Sequence, residues 1–378
     1  MIPLFPDENI ESLKVSTIWE GRAKGGTWFH PRACLIPGEE HPTVLMTCQQ
    51  IGGSDVFGPV HESSSPDLGL NWSDPKPVPG LGRRTLPNGT MEGVCDVVPD
   101  YHTPTGTVLA MGHNVYYRDN VLTQPNADRY PVYTVRDSKG SWSPYKQLPW
   151  PGSRTPTLYT CGCAQHVNLP DGRILIPMTV SHEADKPRSV CSGIYTFDGM
   201  ECHAEVLGDF LHLDVGRGLM EPSIIQLNGR IYMTIRAEDD HGYVSVSDDG
   251  LRWKDLIPWS WEDGTPLTMS TTQQHWLVHG SDLYLAYTRK ASANANVMRW
   301  RAPIYLARVD LGTMRLVRET ETIVLPLIGD GINNPDTVAR MGNFHPLRIS
   351  KRESWITVGE NLRPDWNGDT LLARIRWV

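Results

Sequence analysis

The sequence lacks three features that would place it in common protein classes: an excess of basic residues, a long apolar run and a paired set of cysteines. Lysine and arginine number 35 against 43 acidic residues, which gives no electrostatic basis for binding nucleic acid. No stretch approaches the roughly 18 consecutive apolar residues that span a bilayer, and the N-terminal sequence has no secretion-signal pattern. We therefore expect a cytoplasmic protein without a nucleic-acid or membrane partner.

The cysteines give a second exclusion. There are seven, an odd number that cannot form a complete disulfide framework, so a reducing compartment is favoured. Cys161 and Cys163 form a C-x-C pair, but no second pair stands at the spacing of a structural zinc site. We interpret this pair as small residues of a strand.

What the sequence does contain is a repeated turn. Residues 65–72 read Ser-Pro-Asp-Leu-Gly-Leu-Asn-Trp, residues 247–253 read Ser-Asp-Asp-Gly-Leu-Arg-Trp, and residues 137–142 are a degraded third copy. In such a turn the Asp accepts backbone N–H groups, the Gly adopts a positive φ and the Trp packs on the hairpin. Recurrence of the turn indicates a repeat fold.

Six predicted hairpins account for most of the remaining chain. Each consists of two strand-like runs joined by a polar or glycine-containing turn. They are Ala33–Pro37 with Thr43–Cys48, Val94–Pro99 with Thr107–Met111, Gln165–Leu169 with Arg173–Met178, Ser223–Leu227 with Arg230–Ile235, His275–Val278 with Asp282–Tyr287, and Phe344–Ile349 with Ser354–Val358.

Six such units predict an all-β fold, a six-bladed β-propeller formed as a single domain by residues 1–378. The last strand, Thr370–Val378, has no later partner, whereas Lys14–Trp19 stands unpaired at the start. We expect the N-terminal strand to complete the last blade and close the ring. A seven-bladed ring is the alternative.

Innermost propeller strands converge on the axis, so polar residues on them are candidates for a binding site. Arginines among them suit a carboxylate, and carboxylic acids supply proton transfer, so an anionic sugar is the expected ligand. Besides the residues discussed next, these candidates are Glu92, His113, His166, Gln274 and His275.

The repeated turns and four of these polar residues resemble the sialidase superfamily, whose turns of this kind are called Asp boxes. Arg32, in Pro-Arg-Ala-Cys-Leu-Ile-Pro, matches the family's first arginine, and Asp55 matches its acid/base aspartate. Glu221 and Arg236 match its glutamate and second arginine. The resemblance implies that Asp55 and Glu221 are catalytic and that the arginines bind the sugar carboxylate.

Two positions depart from the family pattern. The third arginine has three candidates, Arg289, Arg299 and Arg301, of which Arg289 is favoured because it ends a strand. The family's nucleophilic tyrosine belongs in the last blade, but the last tyrosine here is Tyr305 and the matching strand contains His345 instead. Unless Tyr305 reaches in from the preceding blade, His345 is the expected catalytic occupant, and the usual tyrosyl-enzyme mechanism cannot operate.

Three functions follow from these residues. The favoured one is a sialidase-like, exo-acting glycoside hydrolase on a terminal acidic sugar, which requires no cofactor. The second is a propeller lyase in which a histidine abstracts the proton next to a uronate carboxylate. It resembles lyases of rhamnosyl-glucuronate or oligogalacturonate linkages in architecture, and a divalent metal is possible there. The third is a non-catalytic glycan-binding propeller.

Overall fold

The fold consists of six antiparallel β-sheets arranged as the blades of a propeller. In this computed structural model the described residues are 5–53, 55–123, 128–183, 186–362 and 364–378. Both the all-β class and the six-blade count are confirmed. No helix in these ranges is long and apolar enough to cross a bilayer.

We number the blades 1 to 6 from the first complete sheet in the chain. Blade 1 contains Trp28–Ile36, Thr43–Gly53, Val56–Ser65 and Lys76–Pro77. Blade 2 contains Arg84–Thr85, Met91–His102, Thr107–Arg118, Val121–Thr123, Pro131–Arg136 and Lys146–Gln147. Blade 3 contains Leu158–Thr160, Val167–Asn168, Ile174–Ser181, Ser189–Phe197, Cys202–Leu207 and Leu211–His212.

The remaining blades follow the same antiparallel plan. Blade 4 contains Met220–Leu227, Arg230–Arg236, Gly242–Ser247 and Ile257–Pro258. Blade 5 contains His275–His279, Asp282–Tyr287, Ile304–Asp310, Arg315–Leu316 and Thr322–Leu325. Blade 6 contains Arg340–Met341, His345–Arg348, Glu353–Asn361, Thr370–Trp377 and Ile10–Trp19. Among the described residues the helical segments are short: one α-helix, Gly21–Lys24, and the 3₁₀ turns Ser292–Asn294, Met298–Trp300, Arg318–Thr320 and Pro335–Thr337.

The ring is closed by the N-terminal strand. Ile10–Trp19 pairs antiparallel with Thr370–Trp377, and Lys14 lies opposite Arg374. All six predicted hairpins are present, although the inner strands of blades 1, 2 and 4 begin earlier than predicted. The predicted closure is therefore confirmed, and it removes two exposed sheet edges at once.

The repeated turns hold neighbouring blades together. Asp67 accepts the backbone N–H of Asn71 at 2.9 Å, and Asp249 accepts that of Arg252 at 2.8 Å. The tryptophan of each turn, however, packs on the preceding blade. Trp72 lies 6.4 Å from Trp355 of blade 6, ring centre to ring centre, and Trp253 Nε1 donates to Ser192 Oγ of blade 3. The turns therefore act between blades as well as within them.

Gly250 should be the least replaceable residue of its turn. Its φ is 75°, and an added Cβ would stand 2.3 Å from Cδ2 of Leu175 in blade 3. We expect Gly250→Ala to lower the free energy of unfolding by roughly 2–4 kcal/mol, from backbone strain and overpacking together. Urea denaturation would measure this loss. Gly229→Ala is the matched control, since Gly229 has φ 78° but open space around it. Equal losses in both variants would show that contact with blade 3 contributes nothing.

Candidate active site

Irregular inner strands shape the candidate site. Blades 1, 2 and 4 each carry a β-bulge in the innermost strand, between Phe29 and Arg32, Cys95 and Val98, and Met220 and Ser223. Within each bulge one residue has a positive φ: His30 at 51°, Asp96 at 58° and Glu221 at 49°. A bulge redirects side chains, and non-glycine residues in this backbone region concentrate at functional sites.

These three residues line one cavity of about 250 Å³. Asp55, Arg299 and Trp366 also line it and also have positive φ. Seven of the described lining residues are arginines: Arg129, Arg188, Arg217, Arg236, Arg299, Arg301 and Arg340. Three are carboxylates: Asp55, Asp96 and Glu221. The cavity wall is therefore strongly cationic.

Some of these arginines are neutralised within the protein. Arg236 Nη1 lies 2.8 Å from Glu221 Oε2, and Arg217 pairs with Glu238 outside the lining. By contrast, Arg129 and Arg301 have no ion pair with a carboxylate among the described residues, and each has a buried Nε without a hydrogen-bond partner. Burial, with the nearby charges of Arg236 and Arg299, lowers the pKa of Arg301 to about 10. Buried guanidinium nitrogens without hydrogen-bond acceptors favour an anionic ligand that supplies them.

Asp96 is the most heavily bonded carboxylate of the cavity. Its Oδ1 accepts from Arg32 Nη2 at 2.6 Å and from Asn343 Nδ2 at 3.3 Å, and His30 Nδ1 lies 3.1 Å away. Burial acts to raise the pKa of Asp96, but the neighbouring histidines and Arg32 outweigh it and lower the pKa. Asp96 is therefore ionised at neutral pH.

Glu221 and Asp55 differ in environment. The Glu221 side chain is 28% exposed and bonded to Arg236. Burial acts to raise the pKa of Glu221, but the charge and hydrogen bond of Arg236 outweigh this effect and lower the pKa, so Glu221 is ionised too. Asp55 is solvent-exposed at the cavity wall, and its backbone carbonyl accepts from the Tyr117 hydroxyl. Of the three carboxylates, Asp55 is the one most accessible to a ligand's leaving group.

The cavity histidines are neutral. Burial lowers the pKa of His30 to about 3 and that of His113 to about 4. Cys95 contacts His113 and Asp96, and burial together with the Asp96 charge raises the pKa of its thiol. At neutral pH the site therefore offers neutral imidazoles as proton acceptors and a thiol that is a poor nucleophile.

The predicted site residues divide into those that line the cavity and those that do not. Asp55, Glu221, Arg236 and His113 line it. Arg32 is fully buried and contributes only through its bond to Asp96. His345 and His275 are buried with ring centres 5.2 Å apart and are not among the lining residues. The cavity position expected for His345 is thus corrected: Arg340, Met341 and Asn343 line the wall there.

Four other expected residues have partners elsewhere and are also corrected. Glu92 accepts from Arg84, Asn114 and Tyr130. His166 Nε2 lies 3.0 Å from Asp100, and Gln274 accepts from Thr234.

Arg289, the favoured third arginine, instead bonds Glu321 at 2.6 Å and stacks over Tyr305 at 4.5 Å. This stacking also keeps Tyr305 away, and no tyrosine is among the described lining residues. Both alternatives, Arg299 and Arg301, line the cavity. Sequence reasoning missed His30, Asp96, Arg129, Arg188, Arg217 and Arg340 as wall residues.

Comparison with known proteins agrees with this architecture. The chain matches no protein-family model and no curated protein. A Dyadobacter fermentans protein of unknown function matches with TM-score 0.67 and 13% identity, covering 98% of this chain and 100% of that one. Hadza microbial sialidase Hz136 matches with TM-score 0.68 and 12% identity, over 96% and 68%.

Trypanosoma rangeli sialidase in complex with sialic acid matches with TM-score 0.63 and 13% identity, over 96% of this chain and 59% of that one. The chain has a sialidase-like propeller fold. This sialidase-like propeller spans less than two-thirds of the length of the T. rangeli sialidase. Identities this low establish the fold, whereas the activity has to be argued from the cavity.

Proposed function

We propose that the protein is an exo-acting glycoside hydrolase that removes a terminal acidic sugar from a glycan. The observation that carries the proposal is the set of buried arginine atoms without partners, on Arg301 and Arg129, beside the Arg236–Glu221 pair. A guanidinium binds a carboxylate through two parallel hydrogen bonds. A sugar acid entering the cavity would supply the missing acceptors. The fold shared with sialidases supports the same substrate class.

The three carboxylates take different roles in this proposal. Asp55, exposed at the wall, donates its proton to the departing glycosidic oxygen, and its carboxylate then takes a proton from the water that attacks the anomeric carbon. Glu221, held ionised by Arg236, stabilises the positive charge that develops on the sugar ring. Asp96 accepts hydrogen bonds from Arg32 and Asn343 and so holds these two side chains in place. Because no tyrosine lines the described cavity, the reaction proceeds without a tyrosyl intermediate.

Asp55→Asn should separate this role from a structural one. For a substrate with a poor alkoxide leaving group we expect kcat to fall by about 10²–10⁴-fold, the usual contribution of a general acid. For an activated aryl glycoside, whose leaving group needs little protonation, we expect a much smaller loss. Steady-state kinetics on paired sialosides and uronides measure both.

Asp171→Asn is the matched control, because Asp171 is an exposed aspartate paired with Arg173 on a turn. It should leave both rates unchanged. Equal losses on the two substrate types in Asp55→Asn would contradict the acid role. Unchanged turnover of both would contradict the assignment of Asp55 to the reaction.

A second candidate is β-elimination at a uronate. His30 lines the cavity and its Nδ1 lies 3.1 Å from Asp96, so the carboxylate orients the ring to act as the base that removes the proton next to a carboxylate neutralised by arginine. The products distinguish the two reactions. Ultraviolet absorbance from an unsaturated uronate would favour elimination, and a saturated reducing sugar would favour hydrolysis.

A further inference from the structure

One group of cavity side chains takes no direct part in the bond cleavage of the proposed hydrolysis. Cys95, Asp96 and His113 each offer a different ligand atom, and these atoms all lie within 4.8 Å of one another. Cys95 Sγ is 3.3 Å from His113 Nε2 and 3.7 Å from Asp96 Oδ2, and the Asp96 Oδ2 to His113 Nε2 distance is 3.9 Å.

These separations are close to those around a tetrahedral ion. With zinc bond lengths of about 2.0–2.3 Å to N, O and S, ligand atoms stand about 3.3–3.6 Å apart. The two distances from Cys95 Sγ differ from this by a few tenths of an ångström, and the distance between Asp96 and His113 is longer by about half an ångström. Thiolate, imidazole and carboxylate are also the three side-chain ligand types that Zn²⁺ takes in proteins.

The bulge in blade 2 explains how the three atoms meet. Consecutive residues of a regular strand point to opposite faces, but the bulge at Cys95–Val98 and the positive φ of Asp96 place Cys95 and Asp96 on the same cavity. His113 is the cross-strand partner of Cys95. A Cβ on Gly162 would lie 2.1 Å from His113 Nδ1, so the neighbouring loop requires glycine for this imidazole to fit.

The charges and hydrogen bonds are compatible with a dication. Arg32 and Asn343 engage Oδ1 of Asp96, which leaves Oδ2 directed toward Cys95 and His113. Metal binding would convert the Cys95 thiol to a thiolate, which adds one negative charge beside the carboxylate that Asp96 shares with Arg32. Because all three residues line the cavity, a fourth coordination position would face the space where a ligand enters.

We propose that Cys95, Asp96 and His113 form a Zn²⁺ site with one coordination position open to the cavity. Three protein ligands with an open position is the arrangement of reactive rather than purely structural zinc sites. The open position takes a water molecule or an anionic oxygen of the bound sugar.

Metal binding can be tested on the full-length protein without any activity assay. Protein stripped with a chelator is titrated with CoCl₂, and the thiolate-to-cobalt charge-transfer absorption is followed. We expect saturation at one Co²⁺ per chain and displacement by one equivalent of ZnCl₂. Absence of the absorption band, or binding without defined stoichiometry, would overturn the site.

Variants then locate the ligands. Cys95→Ser should remove the charge-transfer band. His113→Gln should weaken Co²⁺ binding by at least about 10-fold, because replacing even a residue that only hydrogen-bonds to a metal ligand lowers metal affinity by about that much. Cys48→Ser is the control, since Cys48 is a buried thiol of blade 1 outside the cavity lining.

Thermal melting shows whether each variant is folded. If a variant does not fold, the Co²⁺ titration of the unaltered protein decides the proposal. A band that persists in folded Cys95→Ser would overturn the assignment. Failure of the metal site would leave the hydrolase proposal intact, because Asp55 and Arg236 are not among the three ligands.

Discussion

Arg236→Ala is expected to reduce kcat/KM for an acidic glycoside by about 30-fold or more. Removing one partner of a buried charge pair costs about 2–5 kcal/mol, and each 1.4 kcal/mol corresponds to a factor of about ten. Two losses combine here: the guanidinium that would bind the sugar carboxylate, and the charge that keeps Glu221 ionised. The acid limb of the pH profile should therefore move to higher pH, because the Glu221 pKa rises without Arg236.

The profile shift separates binding loss from a general structural defect. Arg173→Ala provides the control, since Arg173 pairs with Asp171 and Glu205 on an exposed turn and should leave both kcat/KM and the pH profile unchanged. An Arg236→Ala protein that folds normally and keeps the unaltered kcat/KM would show that this cavity is not the carboxylate site.

Arg32→Met should destabilise the protein by about 3–5 kcal/mol in urea denaturation at neutral pH, the usual cost of leaving one buried charge unpaired. Arg32 is fully buried and bonds Asp96 at 2.6 Å, so its removal leaves an ionised carboxylate with much weaker compensation. The neighbouring His30 and His113 would then be more easily protonated, and the loss of stability should be smaller at low pH.

The double variant Arg32→Met/Asp96→Asn tests the origin of this loss. With the carboxylate neutral, most of the stability should return, even though two polar contacts have been removed. If the double variant is no more stable than Arg32→Met alone, the loss comes from packing of the arginine side chain rather than from the unpaired charge.

The blades were predictable because their signals are local. Turns such as Asn228-Gly229 and Pro170-Asp171-Gly172 lie between short apolar runs, and each fixes a hairpin without information from distant parts of the chain. Ring closure followed from two unpaired strands. These features depend on residues a few positions apart, so one sequence suffices to find them.

The site was predictable only in part, since its geometry depends on irregular backbone. An alternating pattern assigns Arg32 to the channel. The bulge between Phe29 and Arg32 instead places His30 at the cavity and leaves Arg32 buried behind the cavity wall. Arg301 follows a segment in which Arg299 and Trp300 have left-handed backbone, so no strand periodicity marks it. Arg289 follows the regular strand Asp282–Tyr287 closely in sequence and therefore gave the stronger signal, yet its side chain pairs with Glu321.

Pairing of Lys14 with Arg374 has a consequence for biosynthesis. Within this sequence the strand Ile10–Trp19 is separated from its partner, Thr370–Trp377, by the other five blades, so it is translated well before that partner exists. During that interval it is an unpaired strand exposed to other nascent chains, a known aggregation hazard. Glu11 and Lys14 are both exposed in the finished ring. Their charges oppose association of this strand with other chains before its partner strand is made.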